Sequence, residues 1–158
     1  MTGRIILIGM PAGGKTTIGA ALSRALSVPL YDADALTEQT VGCSIPEIFA
    51  AEGEAAFRAL ERRTLEALCT ETETPCVIAT GGGAVLTEQN RELLRRSGTV
   101  FWLDRTVDNI MSTDYAAGRP LLAGGEAALR ALYAVRCPLY AACAHYRVPD
   151  GTVDQMKD

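Results

Sequence analysis

Short apolar runs alternate along this chain with longer segments of helical periodicity. Runs of four or five apolar residues are typical of strands buried in a parallel sheet, and apolar positions repeated every three or four residues indicate helices packed on such a sheet. The alternation therefore predicts an α/β fold with crossover helices. The predicted strands are residues 4–8, 28–31, 76–79 and 100–103, with a last strand that ends at Val148.

The helices are predicted from the same periodicity and from local start signals. Ser44 is followed by Pro46 and Glu47, which is the pattern of a capping residue, a first-turn proline and a capping glutamate. Residues 112–125 have no sustained period and are predicted to form a mobile surface segment. The other predicted helices are residues 15–26, 54–68, 87–97, 106–111 and 126–136, with a further helix start at 152–155.

Size and charge restrict the class of protein. With 158 residues, 48% of them hydrophobic, we expect a single domain, residues 1–158. A net charge of -4 excludes the broad cationic surface that nucleic acid or an anionic membrane would require. No apolar run is long enough for a membrane span, and Ile5–Ile8 is too short for a signal peptide. We therefore expect a cytoplasmic monomer with no nucleic-acid or membrane partner.

The cysteines do not form a recognisable metal or disulfide pattern. Their number is odd, no C-x-x-C pair occurs, and His145 is the single histidine. We expect reduced and mostly buried thiols, a structural role for His145 and a core position for Trp102. The cysteines are Cys43, Cys69, Cys76, Cys137 and Cys143.

A phosphate-binding loop follows the first predicted strand. The segment GMPAGGKT from Gly9 to Thr16 fits G-x-x-x-x-G-K-[ST] at every fixed position and opens a predicted helix. Backbone N–H groups of such a loop surround the β-phosphate, the lysine reaches the β- and γ-phosphates, and the Thr hydroxyl binds Mg²⁺. No Asn-Lys-x-Asp segment for base recognition in GTPases is present. The predicted nucleotide-binding residues here are Ala12, Gly13, Gly14, Lys15, Thr16 and Thr17.

Two carboxylates follow the second predicted strand. Asp32 and Asp34 are at i and i+2, so on extended backbone both side chains would face the same side. One would hold Mg²⁺ through water and the other an acceptor hydroxyl. The alternative is a pair of aspartates that caps or turns the end of the strand.

Other candidate residues each have a structural alternative. Arg58 has Glu54 and Glu61 within one helical turn and is also read as part of a solvated ion pair. Residues 81–83 are three glycines that form either a site loop or a tight turn. Arg136 is followed closely by a proline and is also read as a cation at a helix C-terminus.

Taken together, these segments resemble the shikimate kinase family from residue 5 to about residue 140. The resemblance implies a nucleoside-monophosphate-kinase type of P-loop fold, with a five-stranded parallel sheet flanked by helices, a substrate-binding region at about 32–61 and a closing lid at about 112–125. It also implies ATP-dependent phosphorylation of the 3-hydroxyl of shikimate. In order, the motifs are GMPAGGKTTIG, DAD, GCSIPEIF, GEAAFR, IATGGG, NRELL, RPLL and RCPLY.

The resemblance implies a role for each site residue. Arg58 and Arg136 clamp the carboxylate of shikimate, and Asp34 holds and orients the reacting hydroxyl. The backbone of Gly81 and Gly82 approaches the ring.

On the ATP side, Thr16 and Asp32 place Mg²⁺ in this interpretation. Arg119 moves in with the lid to contact the nucleotide and the transferring phosphate. The implied catalytic residues are Lys15, Asp34 and Arg119.

Two departures from the family leave alternatives open. The family is expected to end in a full helix packed on the core, whereas only about one helical turn is predicted after residue 152 here. Ser112 stands where family members usually carry an arginine that packs on the adenine. The alternatives are another small-metabolite kinase of the same fold, of the gluconate type, and a nucleotide-binding regulatory relative with weakened turnover. The simultaneous presence of Asp34, Arg58 and Arg136 argues against the first alternative. The second is opposed by four retained residues, which are Lys15, Thr16, Asp32 and Arg119.

Overall fold

The protein is an α/β structure in which five parallel strands are joined by helices. The computed structural model describes residues 3–11, 14–111 and 125–149. The strands are β1 (Arg4–Ile8), β2 (Leu30–Asp32), β3 (Cys76–Ala79), β4 (Thr99–Asp104) and β5 (Tyr146–Pro149). The helices are α1 (Lys15–Leu26), α2 (Ala33–Val41), α3 (Ile45–Glu52), α4 (Glu54–Glu71), α5 (Glu88–Ser97), α6 (Val107–Met111) and α7 (Gly125–Cys143).

The order of the strands determines where a ligand can bind. The sheet has the order β2-β3-β1-β4-β5, and every pair is parallel. The chain therefore leaves β1 first toward one edge of the sheet and later returns to build the other edge. In open α/β sheets the crevice at such a reversal, beyond the carboxyl ends of the strands, is where ligands bind. The predicted phosphate loop begins at this point.

Hydrophobic side chains cover both faces of the sheet. Ile6, Ile8 and Ile78 belong to a large cluster on one face, whereas Leu7 and Val77 belong to a smaller cluster that includes Ile18 of α1. This alternation follows from the two-residue period of a strand. Apolar runs without polar positions are what a sheet covered on both faces requires, and the predicted α/β fold is confirmed.

The second strand begins later than predicted. Ser27 has a left-handed backbone and ends α1, and the Val28 N–H donates to the Ser23 carbonyl. Residues 27 and 28 therefore belong to the end of α1, because their N–H groups bond to carbonyls of its last turn. For this reason β2 runs from Leu30 to Asp32 and not over 28–31.

Two helical segments differ from the prediction. The chain turns into α2 directly after β2, because the Asp32 carboxylate accepts a hydrogen bond from the Ala35 N–H and caps the helix. Helix α7 does not end at Arg136 but continues through Pro138. Tyr140 and Cys143 are fully buried in this continuation, and their packing offsets the loss of one backbone donor.

Other predictions fare differently. Ser44 caps α3 as predicted, Trp102 is in the core, and all five cysteines are free, three of them buried. His145 has a structural contact, since its Nδ1 accepts from the Val100 N–H at 2.9 Å. Of the predicted lid at residues 112–125, residues 112–124 lie outside the described residues, and Gly125 begins α7; the predicted helix start at 152–155 also lies outside the described residues. Within the described parts, no helix is both long and apolar enough to cross a membrane.

Candidate active site

The phosphate loop leaves β1 and ends at the first turn of α1. A side chain at Gly9 would place its Cβ 2.8 Å from the Leu103 carbonyl oxygen, so only glycine fits between β1 and β4. Gly14 caps α1 with φ of 86°, which favours glycine. The N-terminus of the helix, with its positive partial charge, therefore lies at the end of this loop, as phosphate binding requires. Ala12 and Gly13 lie outside the described residues.

Lys15 lies in this loop with its ammonium group turned inward. The side chain is buried, and Nζ donates to the carbonyl oxygens of Gly9 at 2.8 Å and Met10 at 2.7 Å. These bonds hold the ammonium group inside the loop. Thr16 and Thr17 follow on the exposed side of the first turn of α1.

Asp32 and Asp34 do not lie side by side on extended backbone, so that prediction is wrong. Asp32 is the cap of α2, which is the structural alternative, and Asp34 is within the first turn of the helix. The helical turn separates the two carboxylates. Asp32 Oδ2 accepts from the Thr16 hydroxyl at 3.0 Å, whereas Asp34 lies against the loop after β3.

The glycine loop after β3 is packed closely against the side chains of three residues, Asp34, Pro11 and Arg58. A Cβ on Gly81 would stand 2.6 Å from Asp34 Oδ1, and one on Gly82 would stand 2.6 Å from Cδ of Pro11. A Cβ on Gly83 would overlap the Arg58 guanidinium. A side chain at any of these three glycines would therefore displace Asp34, Pro11 or Arg58 from its present position, which a tight turn alone does not explain.

Arg58 is held by two carboxylates on its own helix. It pairs with Glu54 at 3.3 Å and with Glu61 at 3.0 Å, and its guanidinium lies over the Phe57 ring. The predicted ion pair on α4 therefore exists, but the Glu61 side chain is only 3% exposed, so this pair is not solvated. The pairing fixes the guanidinium beside Gly83.

Glu61 is a site residue that the sequence analysis did not assign. Burial raises the pKa of its carboxyl group, and the Arg58 guanidinium opposes that shift. The second carboxylate oxygen, Oε2, has no hydrogen-bond partner among the described residues. Its position three residues after Arg58 was the available signal, but its burial depends on packing that the sequence does not show.

Arg136 supplies a second cation from α7. It is only 3% exposed, and its Nε and Nη1 atoms have no hydrogen-bond partner among the described residues. The structure places it in the middle of the helix, so it is not a C-terminal cation. Its charge acts on both Glu61 and Tyr140. A buried guanidinium with free donors is costly unless an anion satisfies them.

The structure thus brings most predicted site residues to the carboxyl edge of the sheet. Near β1 these are Gly14, Lys15, Thr16 and Asp32, and beside the glycine loop they are Asp34, Arg58, Gly81, Gly82 and Arg136. Arg119 and Ser112 lie outside the described residues, so their assignments stay predictions. Residues 3–11, 14–111 and 125–149 contain no group of three or more His, Cys, Asp or Glu side chains that could hold a metal ion by themselves.

Comparison with known proteins gives the family. The shikimate kinase family profile matches residues 11–156. The shikimate kinase of Symbiobacterium thermophilum is 43% identical over 91% of this chain and 84% of its own length. That of Ruegeria pomeroyi is 40% identical over 98% of this chain and 80% of its own length.

The fold comparison agrees with the sequence comparison. The solved structure of shikimate kinase from Acinetobacter baumannii in complex with shikimate has a TM-score of 0.90 and 37% identity, covering 98% of this chain and 87% of that chain. Sequence and fold therefore match the same family along nearly the whole chain. This chain belongs to the shikimate kinase family.

Proposed function

We propose that this chain transfers the γ-phosphoryl group of ATP to the 3-hydroxyl of shikimate, giving shikimate 3-phosphate and ADP, with the site residues acting as described below. A bond forms between the hydroxyl oxygen and the γ-phosphorus, the bond to the β-phosphate oxygen breaks, and the hydroxyl proton leaves. The chemistry requires a phosphate site, an acceptor site and a way to hold the two in line.

The assignment of the acceptor site rests on Arg136, whose buried guanidinium lacks hydrogen-bond partners for part of its donors. Two of its nitrogen atoms lack partners in the described structure, and Arg58 supplies a second cation beside the same glycine loop. Two arginines on different helices suit a small carboxylate, because charge-assisted hydrogen bonds from guanidinium groups hold it in a fixed orientation. We assign Arg58 and Arg136 to the carboxylate of shikimate.

Asp34 is assigned to the reacting hydroxyl. Its carboxylate lies against Gly81, across the loop from the arginine that borders Gly83. A carboxylate accepts hydrogen bonds from ring hydroxyls, while the glycine backbone lets the ring approach closely. In a loose transition state the main contribution of Asp34 is to orient the hydroxyl, and it also receives the departing proton.

The donor site comprises Lys15, Thr16 and the phosphate loop. The Lys15 ammonium, held among loop carbonyls, is available to the β- and γ-phosphates, where charge stabilisation dominates phosphoryl transfer. The Thr16 hydroxyl and the Asp32 carboxylate, 3.0 Å apart, are hard oxygen ligands that fit Mg²⁺. When bound, Mg²⁺ neutralises phosphate charge, and it needs few protein ligands because water and phosphate complete its shell.

A coupled assay for ADP release tests the proposal. Shikimate, quinate, gluconate and nucleoside monophosphates are compared as acceptors, and we expect turnover with shikimate. Arg136→Ala is expected to raise the KM for shikimate and to leave the KM for ATP nearly unchanged. Arg130→Ala is the matched control, because Arg130 is on the same helix but forms exposed pairs with Asp108 and Glu126. Turnover with gluconate and not shikimate would refute the assignment.

A further inference from the structure

Tyr140 connects helix α7 to the glycine loop, which is formed by Gly81, Gly82 and Gly83. It lies one turn beyond Arg136 and is fully buried. Its hydroxyl donates a hydrogen bond of 2.6 Å to the carbonyl oxygen of Gly82. The ring packs against Trp102, with ring centroids 5.9 Å apart. The phenol therefore has a fixed position between the helix that carries Arg136 and the loop that lies against Asp34 and Arg58.

The phenol also lies beside the Arg136 guanidinium. Burial raises the pKa of Tyr140 to about 12, and the neighbouring Arg136 opposes this shift through its charge and a side-chain contact. The phenol consequently keeps its proton throughout the neutral range and remains a donor to Gly82. The charge of Arg136 acts on the same hydroxyl group. The Tyr140 hydroxyl thus interacts with the glycine loop through a hydrogen bond and with Arg136 through the charge of the guanidinium.

The bond to Gly82 also sets the direction of the next peptide N–H. In a trans peptide the carbonyl oxygen and the following N–H point in opposite directions. Holding the Gly82 oxygen toward Tyr140 therefore turns the Gly83 N–H away from α7. Among the described residues, no backbone carbonyl accepts a hydrogen bond from that N–H. Without Tyr140, a loop of three glycines has little to prevent this peptide from rotating.

We propose that Tyr140 is a positioning residue for the acceptor substrate, which fixes the orientation of the Gly82–Gly83 peptide and of the Arg136 guanidinium before shikimate binds. The proposal rests on the proposed function, since it assigns the substrate whose binding is affected. Tyr140 bonds directly to Gly82, is on the same helix as Arg136, and is proposed to act through these two residues.

Tyr133 gives a matched control on the same helix. It is one turn before Arg136, and its hydroxyl donates to Asp104 Oδ1 at 2.8 Å. Arg147 holds the other oxygen of that carboxylate at 2.7 Å, so Tyr133 belongs to a separate polar group at the end of β4. Tyr133→Phe and Tyr140→Phe both remove one hydroxyl from α7 and leave a polar partner. Only Tyr140→Phe releases the glycine loop.

The experiment compares the steady-state kinetics of the two variants with those of the unaltered chain. For Tyr140→Phe we expect the KM for shikimate to rise roughly three- to tenfold, the effect of one net hydrogen bond, with the KM for ATP unchanged. For Tyr133→Phe we expect the KM for shikimate to change by less than about twofold. Thermal unfolding of both variants records the loss of stability separately. A rise in the shikimate KM that merely follows that loss in both variants would overturn the proposal.

A double-mutant cycle with Arg136→Lys tests the route of the effect. If Tyr140 acts through Arg136, Tyr140→Phe changes the shikimate KM less in the Arg136→Lys background than alone. If Tyr140→Phe leaves the shikimate KM unchanged both alone and in the Arg136→Lys background, Tyr140 has no positioning role. If either tyrosine variant is unstable, calorimetric titration with shikimate below both unfolding transitions replaces the kinetic measurement.

The unaltered chain separates this proposal from the proposed function. Turnover with shikimate by the unaltered chain establishes the function whatever the tyrosine variants do. Turnover with an unaffected shikimate KM in Tyr140→Phe overturns the positioning role alone. Absence of shikimate turnover in the unaltered chain would refute both, and it would be seen before any variant is compared.

Discussion

At the scale of single residues, Arg136 shows how a binding group opposes stability. Its buried guanidinium leaves two nitrogen atoms without partners in the described structure. Unsatisfied buried donors cost free energy in the ligand-free protein, and a bound carboxylate removes that cost. In the proposed function, the free energy that the fold loses here becomes available to the binding of shikimate.

Replacement of Arg136 by methionine tests this trade. Methionine has a similar length and no polar atom, so we expect Arg136→Met to raise the free energy of unfolding of the ligand-free protein by about 1–2 kcal/mol. Shikimate affinity should fall by about tenfold or more, because charge-assisted hydrogen bonds are lost. Chemical unfolding and calorimetric titration measure the two effects. A less stable variant would mean that the guanidinium already has a partner.

Glu61 leads to a prediction about protons. Burial has raised its pKa, and a bound carboxylate beside Arg58 and Arg136 adds negative charge close by. Binding should therefore raise the Glu61 pKa further, so that the complex takes up protons. Because the bound state holds more protons, shikimate affinity should decrease as pH rises from the free to the bound pKa.

Calorimetry in two buffers that differ in ionisation enthalpy measures this proton uptake at mildly acidic pH. In Glu61→Gln the uptake should disappear, because the amide does not titrate. Proton release on binding, or unchanged uptake in Glu61→Gln, would show that another group is linked to binding.

At the scale of elements, Asp32 joins two roles in one side chain. One carboxylate oxygen caps α2 through the Ala35 N–H, and the other accepts from Thr16 at the proposed metal site. Asparagine is as good a cap as aspartate, but it lacks the charge. We expect Asp32→Asn to change the free energy of unfolding by less than about 0.5 kcal/mol while more Mg²⁺ is needed for half-maximal rate.

Titration of activity with Mg²⁺, together with thermal unfolding, checks this separation. Asp32→Ala is the comparison, because it removes both roles and should cost about 1 kcal/mol of stability as a lost cap. An unaltered Mg²⁺ requirement in Asp32→Asn would remove Asp32 from the proposed metal site.

The elements that could be predicted are those whose signals are local. The start of α1 follows from the glycines and Lys15 of the phosphate loop, and the start of α3 from Ser44 and Glu47. Helix α2 was not predicted, because the cap or turn considered for Asp32 and Asp34 was placed at the end of a strand and not at the start of a helix. The end of α7 was misplaced because Pro138 is a local stop signal, and the burial of residues beyond it is a tertiary effect.

The same reasoning applies to the candidate site. Arg58 and the glycine loop were named from motifs, since their spacing is fixed in the sequence. The part played by Glu61 could not be predicted, because it depends on burial of the side chain where α4 meets the glycine loop. The bond from Tyr140 to Gly82 joins residues 58 positions apart and has no local signal.

At the scale of the whole molecule, His145 forms two hydrogen bonds that attach the last strand segment to the sheet. The backbone N–H of His145 donates to the Val100 carbonyl, and its ring Nδ1 accepts from the Val100 N–H, which joins β4 to the segment that leads into β5. Partial burial and the charge of Arg95 lower the pKa of His145. Protonation would remove the acceptor and break the ring bond.

This contact predicts an acid-sensitive contribution to stability. Since the folded pKa lies below the usual value of about 6.5, the unfolded chain binds the proton more readily. The contribution is complete above that usual value and is lost as pH falls through the lowered folded pKa. Urea unfolding over this range should show the loss, and His145→Asn should flatten that part of the pH profile. An equal slope in His145→Asn would assign the loss to other groups.

The crowding around the glycine loop restricts how this site changes in evolution. Any side chain at Gly81, Gly82 or Gly83 would push aside Asp34, Pro11 or Arg58. Substitution of these three glycines is therefore disfavoured, and a change in acceptor specificity is expected to arise from other residues of the site. An inhibitor that bound to the backbone of this loop would face few escape mutations, because a residue that excluded the drug would also displace the groups that hold the natural ligand.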